Sequence, residues 1–367
     1  MSDAKRNYGI DLLRMLSMFM IVNLHVLGQG GAMVRIVGAE AGYYAAWFLE
    51  TCAYCAVDCY GLISGYVGVN GKFRPARLLE LWLQVFFYSA GITLLYAIFA
   101  PQLMTWDYLW KAIFPVSWKT YWYFSCYAGL FLVMSFLNKL VNSLQEREVK
   151  RMAVALFLIF SVGTAIPKAA GSDVLQLVGG YSFVWLCVLY LLGACIRKCN
   201  FSRWKNRSYL LAYFGLVTFS WAFKIIVETI TRSVLGKAKF GRLFTGYAAP
   251  TILLCAVCLF LIFERLKCGS ALLKKVIAIA APLSFSVYLI HTQPVIWDNL
   301  LKGAFSQYRY LPWPMILIAV PLTAAAIYLV CSLVDWMRKK LFDAMGVRRF
   351  SERIAGALER TWLRVFP

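Results

Sequence analysis

The chain has 367 residues, of which 61% are hydrophobic and 15% are charged, and its formal net charge is +21. Soluble domains carry about 25% charged residues, so this composition excludes an ordinary soluble enzyme and is typical of a membrane protein. A nucleic-acid partner is not expected, because no basic and aromatic soluble domain is present to bind one.

Apolar stretches long enough to cross a membrane recur along the whole chain. They predict an all-α, polytopic membrane protein with about ten transmembrane helices, at residues 10–30, 43–67, 78–99, 121–141, 151–167, 181–197, 208–230, 246–264, 275–297 and 313–337. We expect a transmembrane domain over 1–337 and a basic, amphipathic cytoplasmic tail over 338–367, lying on the membrane surface. No cleavable signal peptide is expected, because the first stretch carries Asp11 and Arg14.

The distribution of Lys and Arg predicts the orientation of these helices. With both termini in the cytoplasm, most basic residues fall in cytoplasmic segments, as the positive-inside rule requires. Most of the net charge therefore reflects topology and attraction to anionic membrane lipids. One predicted outward loop departs from the rule, with Arg232, Lys237, Lys239 and Arg242.

The first apolar stretch carries two residues that are rare in membrane helices, Arg14 and His25. Eleven residues at about 100° each return to nearly the same direction, so both side chains lie on one helix face, about 16 Å apart along its axis. Ionisable side chains are costly in lipid and mark functional sites. This pair is therefore the strongest indication of function in the sequence.

His25 is one of two histidines in the chain, and the other, His291, is predicted to lie at similar depth in the ninth helix, near the outer face. A neutral imidazole can take the proton of a hydroxyl near neutral pH and so act as a general base. The alternative is a structural pair of histidines, hydrogen-bonded between helices.

Arg14 lies about one turn inside the cytoplasmic end of the first helix, where a guanidinium can bind a phosphate through two hydrogen bonds. Asp11 is expected to orient it. Arg74 and Arg77 follow the second stretch on the same side, so three arginines are predicted to converge on one anionic ligand. The alternatives are that Arg14 snorkels and that Arg74 and Arg77 only obey the positive-inside rule.

Other polar residues in the apolar stretches allow less specific predictions. Lys224 and Glu228 are four residues apart and are expected to neutralise each other. Asp58 lies in the middle of the second stretch, followed by Ser64, and both are candidates for lining a channel. Trp122 suits either a belt at the membrane interface or the lining of a site.

The 11 cysteines lie almost entirely within the apolar stretches. Cys52, Cys55 and Cys59 share one helix face, and Cys255 and Cys258 repeat the C-x-x-C spacing. No histidine or second such pair stands nearby with metal-ligand spacing, so we expect small buried core residues and no metal site.

Four segments carry patterns that occur together in one known family. The first stretch reads IDLLRMLSMFMIVNLHV, the second AVDCYGLISGYVG followed by KFRPAR, the fourth TYWYFSCYAGLFLVMSFLNKL and the ninth LSFSVYLIHTQPV. In this order they resemble the acyltransferase 3 family of integral membrane, acyl-CoA-dependent O-acyltransferases. The pair Tyr60–Gly61 departs from the family pattern, where bulkier apolar or aromatic residues are expected.

The resemblance implies a donor, acetyl-CoA or another acyl-CoA, on the cytoplasmic side and a hydroxyl acceptor on a cell-surface glycan or related envelope molecule. His25 is then the catalytic base, and Arg14 positions the donor or stabilises developing negative charge. The remaining implied roles are acyl-CoA binding by Arg14, Arg74, Arg77 and Asp11, and lining of the channel or acceptor site by Asp58, Ser64, Trp122, Tyr288 and His291. The implied location is the bacterial plasma membrane, in contact with lipids, and a homodimer is left open.

Two functions of other classes remain as alternatives. Intramembrane charges also mark transport pathways, so a membrane transporter or amino-acid uptake domain is the main rival. Against it, no inverted repeat and no matching pair of broken helices is evident in the two halves. The third reading is a non-catalytic membrane scaffold, in which both histidines tolerate substitution.

Overall fold

The computed structural model describes residues 6–33, 41–118, 120–199, 201 and 204–365. Every regular element in this part of the chain is helical, which confirms the all-α prediction. The first eight helices are α1 (Tyr8–Leu27), α2 (Ala41–Ala53), α3 (Ala56–Gly68), α4 (Pro75–Phe99), α5 (Trp106–Ile113), α6 (Trp122–Ser143), α7 (Glu146–Phe157) and α8 (Gly163–Ala169). They are followed by α9 (Phe183–Lys198), α10 (Asn206–Leu235), α11 (Pro250–Glu264), α12 (Ala271–Ala280), α13 (Ser284–His291), α14 (Pro294–Ile296), α15 (Trp313–Ala344) and α16 (Val347–Val365).

Seven helical segments in the described residues are long and apolar enough to cross a membrane. Two of these segments each consist of two shorter helices. In one, a π-helical segment joins α7 to α8, and in the other a 3₁₀ turn joins α12 to α13. Their outward faces are apolar, with exposed side chains such as Leu94, Ile226 and Leu329. Apolar side chains facing outward and polar ones facing inward are what a lipid environment requires. The prediction of a polytopic membrane protein is therefore confirmed.

One predicted helix breaks where the sequence did not indicate it. The stretch 43–67 forms two helices, α2 and α3, which are separated at Tyr54 and Cys55 without a Pro or Gly. The break turns the Tyr54 ring toward Tyr247, with 5.8 Å between their centroids. It also puts Asp58 in the first turn of α3 rather than in the middle of a long helix.

Helix α1 lies at the centre of the bundle and is the most buried of the seven segments. It contacts α2, α3, α11, α12, α13 and α15. Beside it, α3 and α9 approach so closely that only glycine fits at their crossing. A Cβ atom on Gly65 would lie 1.8 Å from the carbonyl oxygen of Tyr190, and one on Gly193 would lie 2.1 Å from that of Leu62. Small residues at such crossings let membrane helices pack through their backbones.

The C-terminal part of the chain folds back against the bundle. Helix α15 continues past the predicted domain boundary at 337 and ends at Ala344. Gly346, with φ of 66°, then allows the turn into α16. Helix α16 contacts α4 and α15, at the same end of the bundle as Arg14.

Candidate active site

Helix α1 positions both of the residues that the sequence singled out. Its N-terminus is fixed by Asn7, whose side chain accepts hydrogen bonds from the backbone of Gly9 and Ile10 at 3.0 and 3.2 Å. The same side chain donates to the carbonyl of Glu264 at 2.9 Å, which anchors α1 to α11. Arg14 lies in the second turn of α1 and His25 in the last turn.

The two histidines of the chain contact each other directly. Nδ1 of His25 lies 2.7 Å from Nε2 of His291, and their ring centroids are 5.0 Å apart. His291 is 2% exposed, and its other nitrogen, Nδ1, lies 2.5 Å from the carbonyl oxygen of Val287. The edge of the Trp297 ring packs against His25, with 5.1 Å between centroids. The prediction that both histidines reach the same depth is confirmed.

This chain of contacts assigns the proton on each ring. A carbonyl oxygen can only accept, so Nδ1 of His291 must donate to Val287. With both rings neutral, Nε2 of His291 has no proton and accepts a hydrogen bond. Nδ1 of His25 must therefore carry a proton and donate it to that bond. The Nε2 atom of His25 is left with a free lone pair. A fixed tautomer with a free Nε2 is the form in which a histidine serves as a general base.

The end of α13 holds His291 in place. The predicted helix 275–297 is interrupted there, since Pro294 has no N–H to continue the helical hydrogen bonds. Gln293 caps the next turn by accepting from Val295 and Ile296 at 2.8 and 3.1 Å. Its amide nitrogen donates to Thr93 of α4 at 2.9 Å. These bonds fix the backbone immediately after His291.

Two cavities meet at His25. The inner cavity has a volume of about 40 Å³ and is lined mainly by aromatic and aliphatic side chains, namely Met18, Ile21, His25, Val57, Tyr60, Trp122, Tyr123, Tyr181, Tyr247, Phe285 and Tyr288. The second, which we call the vestibule, has a volume of about 660 Å³ and shares His25, Trp122, Tyr181, Tyr247 and Tyr288 with the inner cavity. The vestibule has the size of a small-ligand site. His25 therefore stands between a narrow apolar space and a wide polar one.

The vestibule contains charged residues that the sequence analysis did not assign to the site. Glu50 is 8% exposed, lies on the vestibule wall and has one carboxylate oxygen without a hydrogen-bond partner among the described residues. Arg242, from the loop that departs from the positive-inside rule, lies on the same wall. The only advance signal was that departure, together with the cost of a carboxylate inside an apolar stretch.

The rim of the vestibule is formed by α5 and the segment after α14. The hydroxyl of Tyr108 donates to Asp298 at 3.0 Å, and Asp298 is a vestibule residue. Partial burial and this hydrogen bond raise the pKa of Tyr108, so its hydroxyl stays a donor.

Around Arg14 the bundle is polar and aromatic. Nη1 of Arg14 lies 2.8 Å from Asp11, which is 7% exposed and is also paired with Arg6 at 2.6 Å. Asp11 and Arg14 are therefore paired, as the predicted orienting role requires. The hydroxyl of Tyr60 donates to the carbonyl of Arg14 at 2.9 Å. Tyr60 thereby links the surroundings of Arg14 to the inner cavity, which it lines.

A run of tyrosines continues this link. Tyr123 faces Tyr60, with 6.1 Å between ring centroids, and stacks on Tyr127 at 6.4 Å. Arg14 and Arg77 both lie within Coulombic range of the Tyr127 hydroxyl. Polar groups thus connect the Arg77 region to the cavity that ends at His25.

A third cavity, which we call the basic cavity, lies at the Arg14 end of the bundle and has a volume of about 780 Å³. Arg74 and Arg77 are among its walls, and Arg14 is not. The structure therefore brings two of the three predicted arginines together. Arg14 stands apart from them, along the run of tyrosines.

The other predicted site residues fall into two groups. Trp122 and Tyr288 line both the inner cavity and the vestibule. Ser64 donates to the carbonyl of Tyr60 at 2.9 Å and also bonds Tyr123, so it stands behind the cavity wall. Asp58 is fully buried against α9, where it accepts from Nε1 of Trp185 at 3.0 Å, and it lines none of these three cavities.

The remaining predicted charged pair lines none of these three cavities. Lys224 and Glu228 form the predicted ion pair, which is confirmed, and Tyr43 also donates to Glu228. The Lys224 ammonium lies 3.6 Å from the centroid of Trp47. Within the described residues, no group of three or more His, Cys, Asp or Glu side chains is arranged to hold a metal ion.

Comparison with known proteins gives one match. A family model described as an acyltransferase domain, that of acyltransferase 3, matches residues 7–334. It covers α1 to most of α15 and leaves α16 outside. No curated protein and no solved structure matches the chain.

Proposed function

The chain belongs to the acyltransferase 3 family, and from this premise we propose that it is a membrane O-acyltransferase that uses cytoplasmic acyl-CoA. The acyl group passes through the bundle to a hydroxyl of an extracytoplasmic glycan or related envelope acceptor. The donor is acetyl-CoA. The Arg14 end of the bundle faces the cytoplasm, and the vestibule faces outward.

The observation that supports this proposal most is the position of His25. His25, whose Nε2 is left free by the contact with His291, lines both the apolar inner cavity and the polar vestibule. An acyl group held in the inner cavity and a hydroxyl held in the vestibule would both reach it. Holding two reactants together in this way replaces a collision with a reaction inside one complex.

The transfer follows from this arrangement. Nε2 of His25 takes the proton of the acceptor hydroxyl while the hydroxyl oxygen attacks the carbonyl carbon of the thioester. The new C–O ester bond forms and the C–S bond breaks. The CoA thiolate leaves and recovers a proton from the His25 imidazolium, which gives free CoA thiol and the neutral histidine. The bond from Nδ1 of His25 to His291 holds the ring in the required orientation throughout.

The volume of the inner cavity favours a short acyl group. A water-sized group needs about 10–15 Å³ of such space, so 40 Å³ has room for about three of them. An acetyl group has three non-hydrogen atoms. Longer chains would have to displace Tyr60, Tyr123 or Phe285, which are packed among other aromatic rings.

The proposal is tested with purified protein and acetyl-CoA labelled in the acetyl group. Wild-type protein is expected to transfer label to extracted surface glycans. His25→Ala is expected to lower turnover by about a thousandfold, since a general base contributes between about 10² and 10⁴. Thermal unfolding in detergent and size-exclusion chromatography check that the variant is folded.

Two outcomes would overturn the proposal. Near-wild-type turnover by folded His25→Ala would remove His25 from the mechanism. Absence of any label transfer by wild-type protein, together with uptake of a solute by proteoliposomes, would favour the transporter alternative. Mass spectrometry of surface glycans from cells with and without the gene identifies the acceptor in the same experiment series.

A further inference from the structure

The basic cavity is built partly by the helix that lies outside the family match. Its walls come from the start of α4, the end of α15 and one face of α16. From α16 they include Val347, Arg348, Glu352, Ala355 and Gly356, which follow a helical spacing of three to four residues. The face of α16 that closes the cavity is therefore continuous over more than two turns.

Helix α16 is seated firmly against the bundle. Ser351 is fully buried and Ala355 is 8% exposed, although most other side chains between 347 and 358 are exposed. The sequence predicted that this amphipathic segment lies on the membrane surface. The structure shows that one face of this segment contacts α4 and lines the basic cavity, with Arg348 among the lining residues.

The charges of the cavity suit a ligand with several phosphates. Five wall residues are basic and three are acidic, namely Arg74, Arg77, Arg338, Lys339 and Arg348 against Glu80, Asp343 and Glu352. Arg338 is already held by two bonds to Asp335, at 2.7 and 3.1 Å. Among the side chains that the structure describes, none forms an ion pair with Arg74, Arg77 or Lys339, although Glu80 acts electrostatically on Arg77.

Arg348 lines the basic cavity together with the other basic residues. Its Nε lies 3.2 Å from Glu352 one turn later, and Glu80 of α4 lies within Coulombic range of both. The Arg348 side chain is 69% exposed, so its guanidinium can still bind an incoming anion. Phe73, which is 42% exposed, adds flat apolar surface to the same walls, which suits a purine ring.

We infer that α16 completes the binding site for the donor nucleotide, with Arg348 joining Arg74 and Arg77 in binding the phosphates of the CoA moiety. The inference rests on the proposed function, which makes acyl-CoA the donor. It assigns a binding role to a residue outside the family domain. The thioester arm of the donor then extends past Arg77 and Tyr127 toward the inner cavity.

The test compares two neighbouring arginines of α16 in the full-length protein. Arg348 lines the cavity, whereas Arg349 is exposed and does not line it. Displacement of labelled acetyl-CoA by unlabelled acetyl-CoA is measured for wild type, Arg348→Gln, Arg348→Lys and Arg349→Gln in a nonionic detergent. We expect Arg348→Gln to weaken binding by about tenfold, as for loss of a charge-assisted hydrogen bond. Arg349→Gln should stay within about twofold, since both variants lose the same charge.

Each outcome has a distinct meaning. Partial recovery in Arg348→Lys supports phosphate binding, because the ammonium keeps the charge and loses the paired geometry. Equal affinities in Arg348→Gln and Arg349→Gln overturn the inference and leave the proposed function intact. If wild-type protein does not bind acetyl-CoA at all, the proposed function fails as well.

A lipid phosphate is the other source of the same chemistry. Binding of each variant to mixed micelles that contain phosphatidylglycerol is therefore measured in parallel. If Arg348→Gln weakens micelle binding and leaves acetyl-CoA affinity unchanged, the cavity serves a headgroup and the inference is wrong. Unchanged micelle binding with weakened acetyl-CoA binding supports it.

Discussion

The two ends of the bundle differ in how their polar residues are held. At the His25 end, the two imidazoles are joined by a 2.7 Å contact, and His291 is tied to the backbone of its own helix. At the Arg14 end, Arg74 and Arg77 are exposed side chains around a cavity of about 780 Å³. One end fixes a single nitrogen atom, and the other distributes positive charge over a wide space.

The difference corresponds to two kinds of task. Proton transfer depends on a donor–acceptor distance within a few tenths of an ångström, so its groups must be rigid. Attraction of a polyanion depends on summed charge and tolerates flexible side chains. Variants at the two ends are therefore expected to change different kinetic parameters, and a variant of the scaffold between them should damage both.

The largest effect is expected from Gly65→Ala, which places a methyl group against the backbone of α9. The Cβ atom would lie 1.8 Å from the Tyr190 carbonyl oxygen, so α3 and α9 must separate, at a cost of about 3 kcal/mol. Both acetyl-CoA binding and acyl transfer should be lost, with a lower yield of monodisperse protein. Gly91→Ala on α4 is the matched control, because nothing lies within 4 Å of its Cβ position.

Size-exclusion profiles and unfolding temperatures of the two glycine variants decide this point. If Gly65→Ala were as stable as Gly91→Ala and retained both activities, the close α3–α9 crossing would not support the two ends.

The next largest effect is expected from His291→Leu, which removes the acceptor for the Nδ1 proton of His25. That hydrogen bond strengthens as His25 becomes an imidazolium, and a bond to a charged group is worth about 1.5–3 kcal/mol, so kcat should fall by roughly 10- to 100-fold. The KM for acetyl-CoA should not change, because the basic cavity is untouched. His291→Gln should retain more activity than His291→Leu, since an amide oxygen can accept the same proton.

The comparison of these two variants tests the tautomer directly. Equal loss of kcat in His291→Gln and His291→Leu would reject the orienting role, because an acceptor at this position would then restore nothing.

The smallest effect is expected from Arg14→Ala, at the opposite end of α1. The KM for acetyl-CoA should rise by about tenfold, as for removal of one partly exposed charge contact with a phosphate or thioester. The KM for the acceptor should not change. Initial rates at varied concentrations of each substrate give the two KM values separately, with Arg349→Gln as the control variant. Equal increases in both KM values would contradict a donor-specific role.

Much of the fold was predictable because membrane helices follow simple rules of length and polarity. Every predicted stretch contains helix, and Arg14 and His25 both lie on α1, as predicted. The contact between His25 and His291 was suggested by depth alone. Periodicity could not predict the break at Tyr54 and Cys55, because it depends on packing between distant helices.

The residues that sequence reasoning missed share one physical property. Glu50 and Arg242 reach the vestibule through a buried helix position and a loop that folds back over the bundle. Neither belongs to a local pattern, since their neighbours in space come from other parts of the chain. The contact between α16 and α4 was missed for the same reason, because an amphipathic face looks identical whether it covers lipid or another helix.

The central helix has one further consequence. Since Arg14 and His25 belong to one uninterrupted rod, their separation of about 16 Å is a fixed length. Insertion or deletion of a single residue between them would rotate one against the other by about 100°, turning the base away from its partner. Apolar side chains in this stretch can therefore be substituted, but the number of residues between Arg14 and His25 must stay the same. That number sets the distance between the groups that contact the two ends of the donor.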